Sequence, residues 1–365
     1  MNSGIREEKE SHLESQLVVN KLPARTWNKL KVNEATVGLE GPVKSVRPVV
    51  TEGEVYHCGP SVENFVPAAT GMGADLEHFL EEHQIPYTMV DASKQKEKEP
   101  VVLHYHYTEP GNYVDRLLIR AEDNLNIRVV LVFDSPDGLQ GTSIHSVQVV
   151  VGENATVEIC TVQMFGDSFR GLFDCGGVCL ENGSLDLLHL QLGGQEIYAG
   201  GCGTLTGKNS HFQVETGYFG RNSQSLDFNF IARHQGRKTK SQMKAVGVLD
   251  HQARKIFRGT IDFQHGSVTA KGEETEDVLL LGEDVINQSV PIILCSEEDV
   301  DGTHGATIGK LDEQVLYYLA CRGISGEDAK MLLAKSRINA ICDHLPAEEV
   351  KRQVSAYMEA VYEKR

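Results

Sequence analysis

The stretch DVDGTHGATIGKLDEQVLYYLACRGIS, running from Asp299 to Ser325, holds a lone histidine, a Gly-Lys pair and the start of an amphipathic segment. Just before it, the apolar run VPIILC ends in Cys295, and an acidic turn, SEEDVDGT, leads on to His304. Thiolate and imidazole are natural ligands for iron and for sulfide-bearing clusters, so Cys295 and His304 make a candidate centre. The plainer reading of a lone histidine is a satisfied structural side chain. Residues 305–311 (GATIGKL) invite comparison with a phosphate-cradling loop. That loop needs four residues between its first glycine and the Gly-Lys pair, then a hydroxyl residue for Mg²⁺. Here three residues separate Gly305 from Gly309, and Leu311 stands where the hydroxyl belongs. The chain has no ATP site in this segment.

Other constellations are weaker. LHYHY places His104 and His106 two apart on an expected strand, hence on one face. Two imidazoles so placed can chelate a metal, but with no third ligand in view a pair of polar surface side chains is the simpler reading. His57 and Cys58 in YHCG are read the same way. Cys175 and Cys179 in CGGVC would lie ~13 Å apart on a strand, too far to share a metal, unless a Gly176–Gly177 turn drew them together. Buried thiols are the simpler reading.

Chemistry needs a frame. Between Pro136 and Pro291 no proline occurs, which suits interior strands that need both neighbours. The same region repeats itself: EDNLNIRVVLVF, ENATVEICTVQM, ENGSLDLLHLQL and KNSHFQVETGYF align on Asn124, Asn154, Asn182 and Asn209, at spacings of 30, 28 and 27. Each unit is a polar turn followed by an alternating strand, and SLDFNFIA continues the alternation with Leu226, Phe228 and Phe230. A propeller blade needs about 40–45 residues, whereas a period near 28 fits one coil of a parallel β-helix. A β-sandwich with coincidental Asn turns is the alternative.

Helical patterns flank the strands. LPARTWNKLKVN (residues 22–33) and GADLEHFLEEHQI (residues 73–85) read as amphipathic helices, the second ended by Pro86. Three more follow Asp312: the first stops at Gly323, Ser325 with Asp328 resembles a capping box, and Pro346 opens the last.

The 365 residues suffice for two or three domains. No window approaches the ~18 uncharged apolar residues of a spanning helix, and the polar start MNSGIREEKESHLESQ lacks a signal-peptide core. A soluble cytoplasmic protein is expected. Eight scattered cysteines without a CxxC pair suggest reduced, buried thiols. A formal charge of −17 argues against nucleic acid or an anionic membrane as partner. Residues 311–365 carry a net charge of only −1, which sets this tail apart from the body as a docking element would be. A carbohydrate-active β-helix enzyme would need recurring carboxylates along the coils; none recurs on an apolar strand face, and Trp27, the sole tryptophan, lies outside them.

At KIFRGTIDFQHGSVTAKGEETEDVLLLGEDV and HGATIGKLDEQVLYYLACRGIS the sequence resembles the SufB/SufD family of iron–sulfur cluster assembly proteins, and LPARTWNKLKVN resembles the N-terminal part of the SufD branch. The similarity runs from about Leu22 to Cys342. It implies a mainly β fold, a right-handed parallel β-helix core with N-terminal and C-terminal α-helical regions. The expected divisions are 1–48 (helical or irregular), 49–310 (β-helix with a helical insertion near 73–85) and 311–365 (helical).

The resemblance also implies partners. Family subunits pair through the β-helix as heterodimers of SufB and SufD or as homodimers, and their C-terminal helices dock SufC, an ABC-type ATPase. In this chain the docking residues would be Leu316, Tyr317, Leu319, Arg322, Ile324, Leu332 and Leu333. A cysteine implicated in cluster building in the SufB branch falls at Val285, which can neither carry persulfide nor bind iron. His304 matches an interface histidine of the SufD branch, whose implied role is to complete a transient iron or iron–sulfur site shared with SufB. Cys295 has no matching role. The expectation is a non-catalytic SufD-like accessory subunit. A SufB-type scaffold acting alone is the alternative, and a carbohydrate enzyme is a remoter one. No flavin motif is visible, and flavin involvement stays open.

Overall fold

Each repeat closes into one coil. A computed structural model, which describes residues 14–363 apart from residues 27, 64, 97 and 98, shows why asparagine recurs. Asn124, Asn154, Asn182 and Asn209 take left-handed φ values of 63°, 56°, 56° and 58°, a conformation whose cost asparagine bears better than most residues. Their amides also form a ladder: Asn154 donates to Asn124 at 3.3 Å, Asn182 to Asn154 at 2.9 Å and Asn209 to Asn182 at 3.1 Å. One residue type therefore turns the chain and ties each coil to the next.

The chain enters through β1 (Glu14–Val19), β2 (Ala35–Glu40), β3 (Val43–Ser45), β4 (Val49–Glu52) and β5 (Tyr56–His57). Then come α1 (Ala74–Glu82), β6 (Tyr87–Asp91) and β7 (Val101–His106). The long coils follow as β8 (Gly111–Ala121), β9 (Asn126–Asp134), β10 (Gly141–Val151), β11 (Thr156–Met164), β12 (Phe169–Cys179), β13 (Ser184–Gln191) and β14 (Glu196–Leu205). They continue as β15 (His211–Gly220), β16 (Ser225–His234), β17 (Lys240–Leu249), β18 (Arg254–Phe263), β19 (Ala270–Leu280), β20 (Ile286–Cys295) and β21 (Val300–Lys310). Three helices end the chain: α2 (Glu313–Ala320), α3 (Gly326–Cys342) and α4 (Glu348–Glu363).

From β6 onward the even strands stack in parallel into one sheet and the odd strands from β7 into a second, giving a parallel β-helix of about eight coils. Side chains alternate between lumen and exterior. The lumen holds a continuous apolar core that includes Val129, Ile159, Leu187, Val214 and Met243 along one file. Pro291 sits in β20, an edge strand, where a missing N–H breaks no interior ladder.

The exterior of each sheet is covered from one end of the chain. On the even sheet, the β1–β2 hairpin and α1 bury Leu17, Val37, Leu76 and Leu80 against Val114, Ile144 and Leu172. A loop before α1 also crosses this sheet. Met72 N–H donates to Asp174 at 2.9 Å, and Asn229 Nδ2 donates to the Gly71 carbonyl at 2.7 Å. The approach requires glycine, because a Cβ on Gly71 would stand 1.9 Å from the Gly201 nitrogen. On the odd sheet, α3 and α4 bury Ile338, Ile341, Val350, Val354 and Met358 against Val162, Leu190, Phe219 and Val248.

The expected helix over residues 22–33 does not form. Asn28–Leu30 make a single 3₁₀ turn inside the loop between β1 and β2, and Trp27 lies outside the described residues. Among its described residues this pattern buries Leu22 and Val32, at the base of a loop closed by a 2.8 Å bond from Leu22 N–H to the Asn33 carbonyl. The first described segment is therefore a β-hairpin, and helix appears only from Ala74. Of the C-terminal signals, those at Gly323 and Ser325 hold, whereas Pro346 lies two residues before α4 begins at Glu348, outside its first turn. Asp312 caps α2, Gly323 takes φ 81°, and Ser325 Oγ accepts from Asp328 N–H at 3.1 Å while donating to its carboxylate at 2.7 Å.

Candidate functional site

The two ends of the coil stack differ. At the first coil, short antiparallel strands close both sheets, β5 on β6 and β4 on β7. At the last coil, β20 and β21 each have a neighbour on one side only among the described residues. Their lumen-facing residues should be core, as in every earlier coil, yet they are open. Ile293 and Ile308 are 37% and 51% exposed. Unpaired edges of 10 and 11 residues beside exposed isoleucines are a template for another chain.

His304 belongs to this end. A Cβ on Gly302 would point at Phe263 (2.9 Å) and Ile293 (3.3 Å), both of the lumen file, so positions 302, 304, 306 and 308 of β21 face inward. Register places His304 beside Glu274 of β19. Cys295 is exposed at the end of β20, with its Sγ 3.0 Å from the Glu297 carbonyl. The two candidates thus sit on the same final coil but on opposite sheets. Among the described residues no three His, Cys, Asp or Glu side chains converge to hold a metal ion.

Beneath His304 the apolar lumen gives way to charge. Lys255 of β18 pairs with Glu276 of β19, with side chains 0% and 1% exposed. Burial pulls the Lys255 ammonium below its ordinary pKa, against the pull of Glu276. Burial, reinforced by Glu276, pushes Glu274 up to about 8. Glu276 Oε2 and both polar atoms of Asn287, which the register sets beside Lys255 in the last coil, have no hydrogen-bond partner among the described residues. Unsatisfied buried polar atoms are costly; others occur in earlier coils, at Tyr87, His145, Asp174 and His189 among them, and these three lie next to the open edge. Sequence reasoning missed this group. The only signal was polar alternation in AKGEETEDV, which cannot be assigned to lumen or exterior without the register.

The other constellations resolve simply. His104 is half-buried and His106 exposed on β7, and His106 Nδ1 contacts Asp134. His57 ends β5 and Cys58 follows it, half-buried. Cys175 and Cys179 are both buried on the continuous strand β12, without the turn that would join them, and burial raises both thiols. No cysteine among the described residues is disulfide-bonded. Residues 305–310 are strand, not a loop.

Among the residues expected to dock a partner, Tyr317, Arg322 and Leu332 are exposed; Leu316, Leu319, Ile324 and Leu333 are half-buried. α2 buries no side chain, and Tyr317 and Tyr318 are 74% and 54% exposed. Arg322 lies 4.4 Å from the Tyr318 ring centroid, a cation–π contact. α2 packs on its neighbour α3, and its exposed tyrosines leave an apolar face open to solvent. Among the described residues no helix is long and apolar enough to cross a membrane.

Comparison with known proteins gives the following similarities. A family model described as SUF system FeS cluster assembly, SufBD core domain, matches residues 105–337. The iron–sulfur cluster assembly protein SufD of Bacillus subtilis is 26% identical over 276 residues, which cover 75% of this chain and 63% of that protein. SufBD family proteins of Staphylococcus saprophyticus and Staphylococcus epidermidis are 23% and 24% identical over 250 residues, covering 67% of this chain and 54% of theirs. The match thus spans between half and two-thirds of these curated relatives' length.

Proposed function

The chain belongs to the SufB/SufD family of iron–sulfur cluster assembly proteins, on its SufD-like side, and from that premise we propose that it is an accessory subunit that completes an assembly site through its open end. The observation that carries this reading is the uncapped last coil, where His304 faces inward above Glu274 between two unpaired edges. A SufB-like scaffold, or a second copy, would continue the stack there. Iron or a nascent cluster is cargo: His304 supplies one ligand and the docked subunit the others. Val285 supports the division of labour, since it is half-buried against the core where the scaffold branch is expected to carry cysteine. Cys295 is a weaker candidate on the same coil.

The exposed face of α2 and the start of α3 would dock a SufC-like ATPase, and ATP-driven motion of that partner would push on the helices packed over the odd sheet. The subunit itself is proposed to be non-catalytic and cytoplasmic. Co-expression with SufB-like and SufC-like partners, followed by anaerobic affinity purification, tests the reading. A stable complex that loses the ATPase when residues 311–365 are removed is expected. A solitary chain carrying its own labile iron and sulfide would overturn it. His304→Ala should leave folding intact, because the side chain is exposed, and should abolish cluster delivery; a fully active variant would refute the histidine's role.

A further inference from the structure

The loop between β1 and β2 runs along the exterior of the even sheet to the last coil. Asn20 Nδ2 donates to the Asp227 carbonyl at 2.9 Å, and Arg258 Nε donates to the Val32 carbonyl at 2.6 Å. Arg258, 1% exposed, also pairs with the Asp227 carboxylate. Leu22 and Val32 close the contact on Val290 and Ile292 of β20. The loop is therefore fixed beside the open end by buried contacts.

Its tip has a charge opposite to that of the molecule. Residues 20–34 include Lys21, Arg25, Lys29 and Lys31 against one acid, Glu34, in a chain of formal charge −17. All four cations are exposed, and none forms an ion pair among the described residues. Leu30 between them is 60% exposed, and Arg25 and Lys31 line a hollow of about 240 Å³ with Asn28, Asn33 and Glu34. The corners leading into and out of β20 are acidic, with Glu283, Asp284, Glu298 and Asp299 all exposed. One end of the molecule thus carries both halves of a charge-complementary contact.

We infer that the basic loop tip is an interaction surface for a second copy of this chain, seating on the acidic corners of the partner's last coil when two open ends meet. A two-fold pair presents one surface twice, so a surface bearing both signs is self-complementary. The inference rests on the open end being a pairing surface, as proposed above. Exposed charge contacts of this kind steer and register an interface more than they hold it, and salt screens them.

Sedimentation equilibrium of the full chain at about 50 mM and about 500 mM salt tests it. Wild type should dimerise, more weakly at high salt. The variant K21E/R25E/K29E/K31E should dimerise roughly ten-fold more weakly at low salt, with most of that difference gone at high salt. Ile308→Asp, placed on the open end itself, should abolish the dimer at both. If Ile308→Asp disrupts the dimer and the charge reversal does not, the open-end reading stands and the loop's role falls. If neither variant changes the dimer, both fall. A wild type that stays monomeric at low salt overturns self-pairing.

Discussion

Glu274 offers a quantitative test of the charged lumen. Its carboxyl is raised from 4.5 to about 8, chiefly by burial. The folded state therefore binds this proton more tightly than the unfolded chain does. The associated stability is fully present below pH ~4.5 and is lost as pH rises through ~8. At about 1.4 kcal/mol per pH unit, the loss between about pH 5 and about pH 8 is on the order of 3 kcal/mol. Glu274→Gln keeps the shape and removes the proton equilibrium. Asp115 and Asp174, each raised to about 7 mainly by burial, add slopes of the same sign, but to both proteins, so they cancel in the comparison. Urea unfolding at several pH values should show wild type and variant converging near pH 5 and the variant more stable by about 3 kcal/mol near pH 8. Parallel profiles would mean that Glu274 is ionised and solvated in the folded protein, and the lumen assignment would be wrong.

Three further outcomes follow from the coils. Lys255→Met leaves Glu276 buried without its partner and should cost about 3–5 kcal/mol, most of it recovered in Lys255→Met/Glu276→Leu; calorimetry of the three proteins measures this. Asn182→Ala breaks two rungs of the amide ladder at φ 56° and should cost about 2 kcal/mol, with Asn182→Gly about 1 kcal/mol milder in thermal melts because glycine accepts that φ. Gly71→Ala should push the loop before α1 off the even sheet, seen as new proteolytic cleavage within residues 66–73 while the coils stay resistant.

The coil was legible because its cause is local. Asparagine at a left-handed corner and alternation along the strands are both written in single repeats, and the helix signals at Gly323 and Ser325 likewise depend on near neighbours. The segment 22–33 was misread because helical spacing is only a weak signal. Its two buried residues, Leu22 and Val32, answer to Val290 and Ile292, more than 250 positions away. The site was legible in part. His304 could be singled out by chemistry, but its neighbour Glu274 and the Lys255–Glu276 pair depend on register between strands 21 to 30 residues apart. Cys295 and His304 looked like one centre because they are close in sequence; a turn between them sends the chain to the other sheet.

The long loop between β1 and β2 also imposes an order on events during synthesis. Its anchors lie far downstream: Asn20 waits for Asp227, 207 residues later, and Val32 for Arg258, 226 residues later. At ~5–20 residues per second on the ribosome, that is a wait of roughly ten to fifty seconds. The coils need not wait, since each stacks on the one before it. The loop, made before the coils, is thus among the last parts to settle, and it settles only on a chain translated past Val290. Until then Leu22 and Val32 lack the apolar cover that Val290 and Ile292 give them.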